Sequence, residues 1–278
     1  MENINLTQKN QNAFTGYIDI GANLTHEQFN SDRETVIESA IKADVSAMVV
    51  TGSTLAESEK ALMLAKQYPN CLYATAGIHP HHADEWQDDF RYEFKRLLTQ
   101  DEVKAVGETG LDFFRNLCPQ ATQEKAFEAQ IELAIELQMP MFLHQREAHH
   151  RFQPILKNAR DKLTNVVVHC FTDNQKALYD YLDLDCHIGI TGWICDERRG
   201  QHLTQLVANI PDNRLLIETD APYLLPRDLP QAKKTRRNLP QYLPHIAEKV
   251  AQYREQTTEH LQTITTDNAC RFFNLFVR

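Results

Sequence analysis

The sequence predicts an α/β protein, a (β/α)8 TIM barrel, with residues 1–278 forming one domain. Three observations predict it. Short apolar runs recur along the chain without the strict alternation of a half-exposed strand, as strands covered on both faces of a parallel sheet do. Amphipathic stretches separate these runs. Roughly eight strand–helix pairs then follow one another at a period of about 25–30 residues, in a chain near the ~250 residues typical of this barrel. An open doubly wound sheet is the competing architecture, but no G-x-G-x-x-G turn follows the first run.

In chain order the expected strands are 17–24 (YIDIGANL), 46–52 (SAMVVTG), 72–79 (LYATAGIH) and 103–112 (VKAVGETGLD), then 141–146 (MFLHQR), 165–171 (NVVVHCF), 186–192 (CHIGITG) and 215–220 (LLIETD). Between them, 32–42 places Val36, Ile37, Ala40 and Ile41 on one helical face. Residues 55–67 do the same with Leu55, Ala61, Leu62 and Ala65, and Pro69 ends that helix. The clearest pattern is 123–138, where Phe127, Ile131, Ala134, Ile135 and Gln138 share a stripe that Pro140 stops. Two final helices, 241–253 and 258–273, are expected to pack on the outside. Residues 1–15, polar at their start and rich in Asn and Gln, read as a flexible extension.

Composition narrows the function. The chain carries 38 acidic against 29 Lys+Arg residues, a formal net charge of −9, which argues against coating nucleic acid or membrane along its whole surface. No apolar run approaches the roughly 18 residues of a membrane span, and the N-terminal stretch lacks the apolar core of a signal peptide. The six cysteines are scattered with no C-x-x-C pair, as in a reducing compartment. A cytoplasmic protein without a membrane partner is expected. Glycine is scarce, with nine residues, and Gly21, Gly52, Gly77, Gly107, Gly110, Gly189 and Gly192 all fall within or just after the carboxyl ends of expected strands. In a barrel that end carries the active site.

The same strand ends collect metal-ligand residue types. His79 ends the third run, followed by His81 and His82; Glu108 and Asp112 lie on the fourth; His144 and then Arg146 end the fifth; His169 ends the sixth; Glu218 and Asp220 end the eighth. One such histidine alone reads as a core group. Several at one end of consecutive barrel strands converge, and grouped carboxylates need a compensating charge. A divalent cation is the simplest one, and imidazole with carboxylate suits Zn, Mn, Fe or Mg. Such an ion lowers the pKa of bound water and polarises a carbonyl or phosphoryl oxygen. Asp220 is placed to orient that water or take its proton, which reads as hydrolysis without a covalent nucleophile or an organic cofactor. Nine of the 29 basic residues (Arg115, Arg146, Arg198, Arg199, Arg227, Lys233, Lys234, Arg236 and Arg237) also fall in loops at this end. They read as a cationic rim for phosphates, with Arg suited to bidentate contacts. Phe113, Phe114, Trp193 and Tyr223 are placed to stack on unpaired bases.

These residues carry a resemblance over about 17–276. The segments 19–25 (DIGANLT), 77–81 (GIHPH), 107–112 (GETGLD), 144–146 (HQR), 169–172 (HCFT) and 218–223 (ETDAPY) resemble the TatD family of metal-dependent deoxyribonucleases, barrels of the amidohydrolase-like superfamily. The stretches 189–199 and 225–229 resemble its bacterial TatD branch rather than the paralogues. The resemblance implies a 3′–5′ exonuclease on single-stranded DNA or RNA, using Mg²⁺, in repair of oxidised DNA. A monomer is expected, with Mn²⁺ or Zn²⁺ as alternative metals. It implies Glu108, His144 and His169 as metal ligands, Asp220 as a further ligand or the base, and His79 as a phosphate contact. One departure stands out. Many relatives end the first strand in a His-x-His pair that binds one of two metals, and this chain has Gly21 and Asn23 there. One well-held metal is therefore expected, with a second weak or recruited by substrate phosphate. The alternatives are a metallohydrolase acting on an ester or amide, such as a D-aminoacyl-tRNA deacylase or a lactonase, and a barrel that has lost its chemistry.

Overall fold

The computed structural model describes residues 14–87 and 89–275. Parallel strands β1 (Tyr17–Ala22), β2 (Val45–Val50), β3 (Leu72–Ala76), β4 (Val103–Asp112), β5 (Met141–Arg146), β6 (Val166–Val168), β7 (His187–Ile190) and β8 (Leu215–Ile217) pair in sequential order in one eight-stranded sheet. The sheet curls back on itself. A bridge joins Ala22 to Ala221, the Asn23 amide donates to the Ala221 carbonyl (2.7 Å), and the Asp220 amide donates to the Gly21 carbonyl (2.8 Å). The seam is locked by Asp19, which is fully buried. Its carboxylate accepts from the Thr219 amide (2.9 Å), the Thr219 hydroxyl (2.5 Å) and the Gly21 amide (3.2 Å). The result is a near-closed (β/α)8 barrel.

Helices α1 (Arg33–Lys42), α2 (Leu55–Gln67), α3 (Phe90–Leu98), α4 (Gln120–Leu137), α5 (His149–Ala159), α6 (Gln175–Asp183), α7 (Gln201–Leu206), α8 (Leu243–Tyr253) and α9 (Thr258–Phe273) complete the order. Side-chain period two divides most strands between two cores. Met48 and Val50 of β2 and Met141 and Leu143 of β5 join the large outer cluster with Phe127, Phe152 and Ile246 of the helices. Ile18, Ile20, Ala47, Val49, Ala105, Phe142, Val167 and Leu216 fill the barrel interior.

The structure corrects several expectations. α9 does not lie wholly outside: Ala269, Cys270, Phe272 and Phe273 join the interior cluster, while Leu261 sits in the outer one. The helix plugs the end of the barrel where strands begin, and Asn268 donates to the carbonyls of Asp212 and Leu215 (2.6 and 2.8 Å). Most of the expected extension, residues 1–13, lies outside the described residues, and Phe14 at its end is buried in the same plug. α4 begins at Gln120, three residues early, because Pro119 supplies the turn before it. Helices α3, α5, α6 and α7 were not singled out in the sequence. Several strands also stop short of the expected runs: β3 ends at Ala76, β6 at Val168 and β8 at Ile217. There the backbone leaves the ladder and the polar residues of the barrel mouth begin.

Candidate active site

Period two places part of the mouth: Phe142 of β5 faces the barrel interior, so His144 and Arg146 on the same strand face the same way above it. His79, His169, Glu218 and Asp220 lie just past the ends of β3, β6 and β8, where the backbone has left the ladder. Two buried glutamines of α4 brace the carboxyl ends of β3 and β4 from behind. Gln130 accepts from the Ile78 amide (2.8 Å) and donates to the Ile78 carbonyl (3.0 Å) and the Thr109 hydroxyl (2.6 Å). Gln123 accepts from the Asp112 amide (2.9 Å) and donates to the Cys118 carbonyl (2.8 Å).

Glu108 is the hub. Its Oε1 lies 2.8 Å from His169 Nε2, 3.0 Å from His144 Nδ1 and 3.3 Å from His79 Nε2. The outer nitrogens of two of these rings meet further carboxylates. His144 Nε2 lies 3.3 Å from Asp112 Oδ2, which also contacts His81 Nε2 at 2.8 Å, and His169 Nδ1 lies 3.2 Å from Glu218 Oε2. A neutral imidazole has one N–H and can satisfy only one of two flanking carboxylates. Burial pushes both rings toward neutrality, yet the carboxylates outweigh it and raise the pKa of His144, and that of His169 well above the usual value. Burial likewise opposes ionisation of Glu108, and the surrounding imidazoles outweigh it, holding the carboxyl well below its usual range.

This donor set fits a divalent cation, whose charge on the Glu108 side would replace the extra imidazole protons. Donor atoms of His79, Glu108 and His144 all lie within 4.8 Å of one another. Among them His79 is the least suited to ligation. Its Nδ1 accepts from the His81 amide (3.1 Å), so the neutral ring carries its proton on Nε2, and burial lowers its pKa to about 4. In that tautomer His79 offers an N–H rather than a lone pair.

Glu218 occupies a slot made by two glycines. A Cβ on Gly21 would lie 2.3 Å from its Oε2, and one on Gly189 would lie 2.7 Å from its Oε1. The carboxylate accepts from the Cys170 amide (2.6 Å) and backs His169, as a carboxylate backs a metal-bound imidazole. Asn23 donates from its side chain to Asp220 Oδ1 (3.0 Å). Burial, with Glu108 and Glu218 nearby, pushes the Asp220 carboxyl up to about 7. Glu108, His144, His169, His79, Asp220 and Arg146 all line one cavity of about 720 Å³.

The basic residues divide. Arg146 lies over Phe114 (3.9 Å to the ring centre) and near Trp193 (5.8 Å) at the mouth. Arg198, Lys233, Lys234 and Arg236 line a second cavity, of about 850 Å³. Arg198 is also paired with Asp196 through both carboxylate oxygens (3.1 and 3.0 Å). Arg237 is not brought to either cavity. Its guanidinium grips Asp32 (2.9 and 2.7 Å) over the face of Phe29. The sequence names Glu218 and Asp112 only as ligand types at strand ends, and it gives no sign of Asn23 acting on Asp220 or of the two glutamines.

A near-closed (β/α)8 barrel with carboxylates and imidazoles converging at the carboxyl ends of its strands has the build of a hydrolase with a candidate metal site. Residues 18–274 match the model of the TatD-related DNase family. The chain is 49% identical to a 3′–5′ ssDNA/RNA exonuclease TatD of Edwardsiella piscicida over 93% of its length and 99% of that protein. It is 50% identical to the TatD exonuclease of Erwinia tasmaniensis, over 92% of this chain and 99% of that protein. Among solved structures it is similar to YJJV, a TatD homolog from Escherichia coli k12, with TM-score 0.85 and 26% identity over 93% of this chain and 98% of that one. The chain belongs to the TatD-related DNase family.

Proposed function

We propose that this chain is a metal-dependent exonuclease that hydrolyses phosphodiester bonds of single-stranded DNA and RNA from the 3′ end, in repair of oxidative DNA damage. The observation that carries the reading is the Glu108 hub, shared by His144 and His169, in a cavity that opens onto a cationic rim. Nearly half-identity to TatD exonucleases over more than nine-tenths of the chain supports the substrate class and the polarity. We further propose a monomer acting in the cytoplasm.

Glu108, His144, His169 and Asp220 would hold the cation, and Mg²⁺ suits a set this rich in carboxylate. When bound, it supplies charge that polarises the phosphoryl oxygen and acidifies water. Asp220, steadied by Asn23, takes the proton of the attacking water. His79 donates its Nε2–H to a phosphate oxygen, and Arg146 adds a guanidinium at the mouth. Glu218 holds His169 in one tautomer. Gly21 has no side chain and Asn23, whose Nδ2 donates to Asp220, offers only an amide oxygen, so the first strand supplies no imidazole and one tightly held metal is expected. Finding two tightly bound zinc ions in the purified protein would overturn that count.

A 5′-labelled single strand incubated with Mg²⁺ tests the reading. A ladder of products shortened one nucleotide at a time, abolished by EDTA, is expected. Absence of cleavage with every divalent metal, or cleavage inside the strand only, contradicts it.

A further inference from the structure

The Glu108 cavity does not end at the barrel mouth. Trp193, Arg199 and Leu224 line both it and the larger cavity beside it, so the two chambers are joined over a ridge made by these residues. The ridge is stiffened by its own contacts. Arg199 lies 4.4 Å from the centre of the Trp193 ring, whose Nε1–H donates to the Arg199 carbonyl (3.3 Å). Among the described residues, no ligand-type cluster lines the second chamber. It has charge instead. Arg198, Arg199 and Arg227 surround Asp196, the one acid that lines it, whereas Lys233, Lys234 and Arg236 have no carboxylate partner among the described residues. An acidic protein thus presents three uncompensated cations in a concavity that adjoins the hydrolytic centre. Concavity and uncompensated charge together suit a flexible polyanion entering from the side, and a free phosphate or a small ester would have no need of them.

Resting on the exonuclease reading above, we propose that the second chamber is a strand-holding site. The 3′-terminal nucleotide occupies the Glu108 cavity, the strand crosses the Trp193–Arg199 ridge, and the phosphates upstream of the scissile bond lie against Lys233, Lys234 and Arg236. Hydrolysis then depends on substrate length. Each nucleotide removed draws the strand inward, and once the remaining piece is too short to reach the second chamber its hold on the protein is lost. Digestion therefore slows once only a short oligonucleotide remains.

The test compares KM and kcat on a dinucleotide, a tetranucleotide and a longer single strand, for the wild type and for the K233E/K234E/R236E variant, with thermal unfolding as the folding control. In the wild type KM is expected to fall at least roughly tenfold from the dinucleotide to the longer strand, with kcat changing little. In the variant that length dependence collapses, and the salt dependence of log KM for the longer strand weakens by about two. The milder K233Q/K234Q/R236Q variant gives an intermediate length dependence. Equal wild-type KM values for dinucleotide and longer strand, or a variant that raises KM by one factor at every length, overturn the proposal while leaving the exonuclease reading intact. Cleavage of no oligonucleotide of any length defeats that reading itself.

Discussion

At the scale of single residues, the site is a set of shared carboxylates. Glu108 serves three imidazoles, Asp112 serves two, and Glu218 fixes the ring that completes the hub. The account therefore predicts different losses from different carboxylates. Glu218→Gln keeps the shape but removes the charge behind His169, and Mn²⁺ affinity measured by calorimetry should fall by about 10–100-fold. Asp220→Asn should lower kcat by about 10²–10⁴-fold, as loss of a general base does. Its melting temperature, measured without metal, should be equal to or above that of the parent, because burial of the Asp220 charge opposes folding. His144, His169 and Asp220 were legible as candidates because each lies at the end of an apolar run, and Glu108 because it lies on the fourth run beside them. Asn23 stands where many relatives have a histidine, and its hydrogen bond to Asp220 spans 197 positions, so no local pattern announces it. Arg237 shows the reverse case. In the sequence it is indistinguishable from its basic neighbours, but its partner Asp32 lies 205 positions away and turns it from the rim.

At the scale of elements, α4 does more than cover the sheet. Gln130 pairs with both polar groups of the Ile78 backbone, one residue before His79, so Gln130→Leu leaves a buried N–H and C=O without partners. Urea unfolding should register a loss on the order of 2–3 kcal/mol. At the opposite end, β7 begins with His187, which packs against Phe272 of the α9 plug (5.1 Å between ring centres) with its Nδ1 unpaired. Burial lowers its pKa from 6.5 to about 4. A proton taken up readily by the unfolded chain is thus refused by the folded one. His187 leaves stability untouched above pH 6.5 and withdraws up to roughly 3 kcal/mol as the pH falls toward 4. Unfolding at pH 7 and pH 4.5 should show His187→Gln losing less than the parent over this interval. The strand order and α2, α4, α8 and α9 were legible from periodicity, with α2 and α9 matching residue for residue. α5 was not, because it opens on two histidines and carries Pro154, and α7 is only six residues long. The plugging role of α9 depends on which end of the barrel it meets, which periodicity does not encode.

For the whole molecule, a net charge of −9 and a cationic mouth are compatible because a total charge does not say where the charges lie. Acidic residues of the outer helices, such as Glu59, Glu124 and Glu136, are paired with Arg96, Arg151 and Arg91, and these exposed pairs add little stability. Lys233, Lys234 and Arg236, without a carboxylate partner among the described residues, line the cavity beside the active one. No helix among the described residues is long and apolar enough to cross a membrane. In the proposed function the Glu108 hub is both the metal site and the hydrolytic centre. It is tested most directly by titrating metal-stripped wild type and Glu108→Ala protein with Mn²⁺, while following cleavage of a 5′-labelled single strand in the same samples. The account predicts that wild-type cleavage rises in step with the binding of one equivalent of metal, and that Glu108→Ala loses tight binding and cleavage together while its fold, read by circular dichroism, persists. A Glu108→Ala protein that binds metal and shortens the strand as the parent does would contradict it.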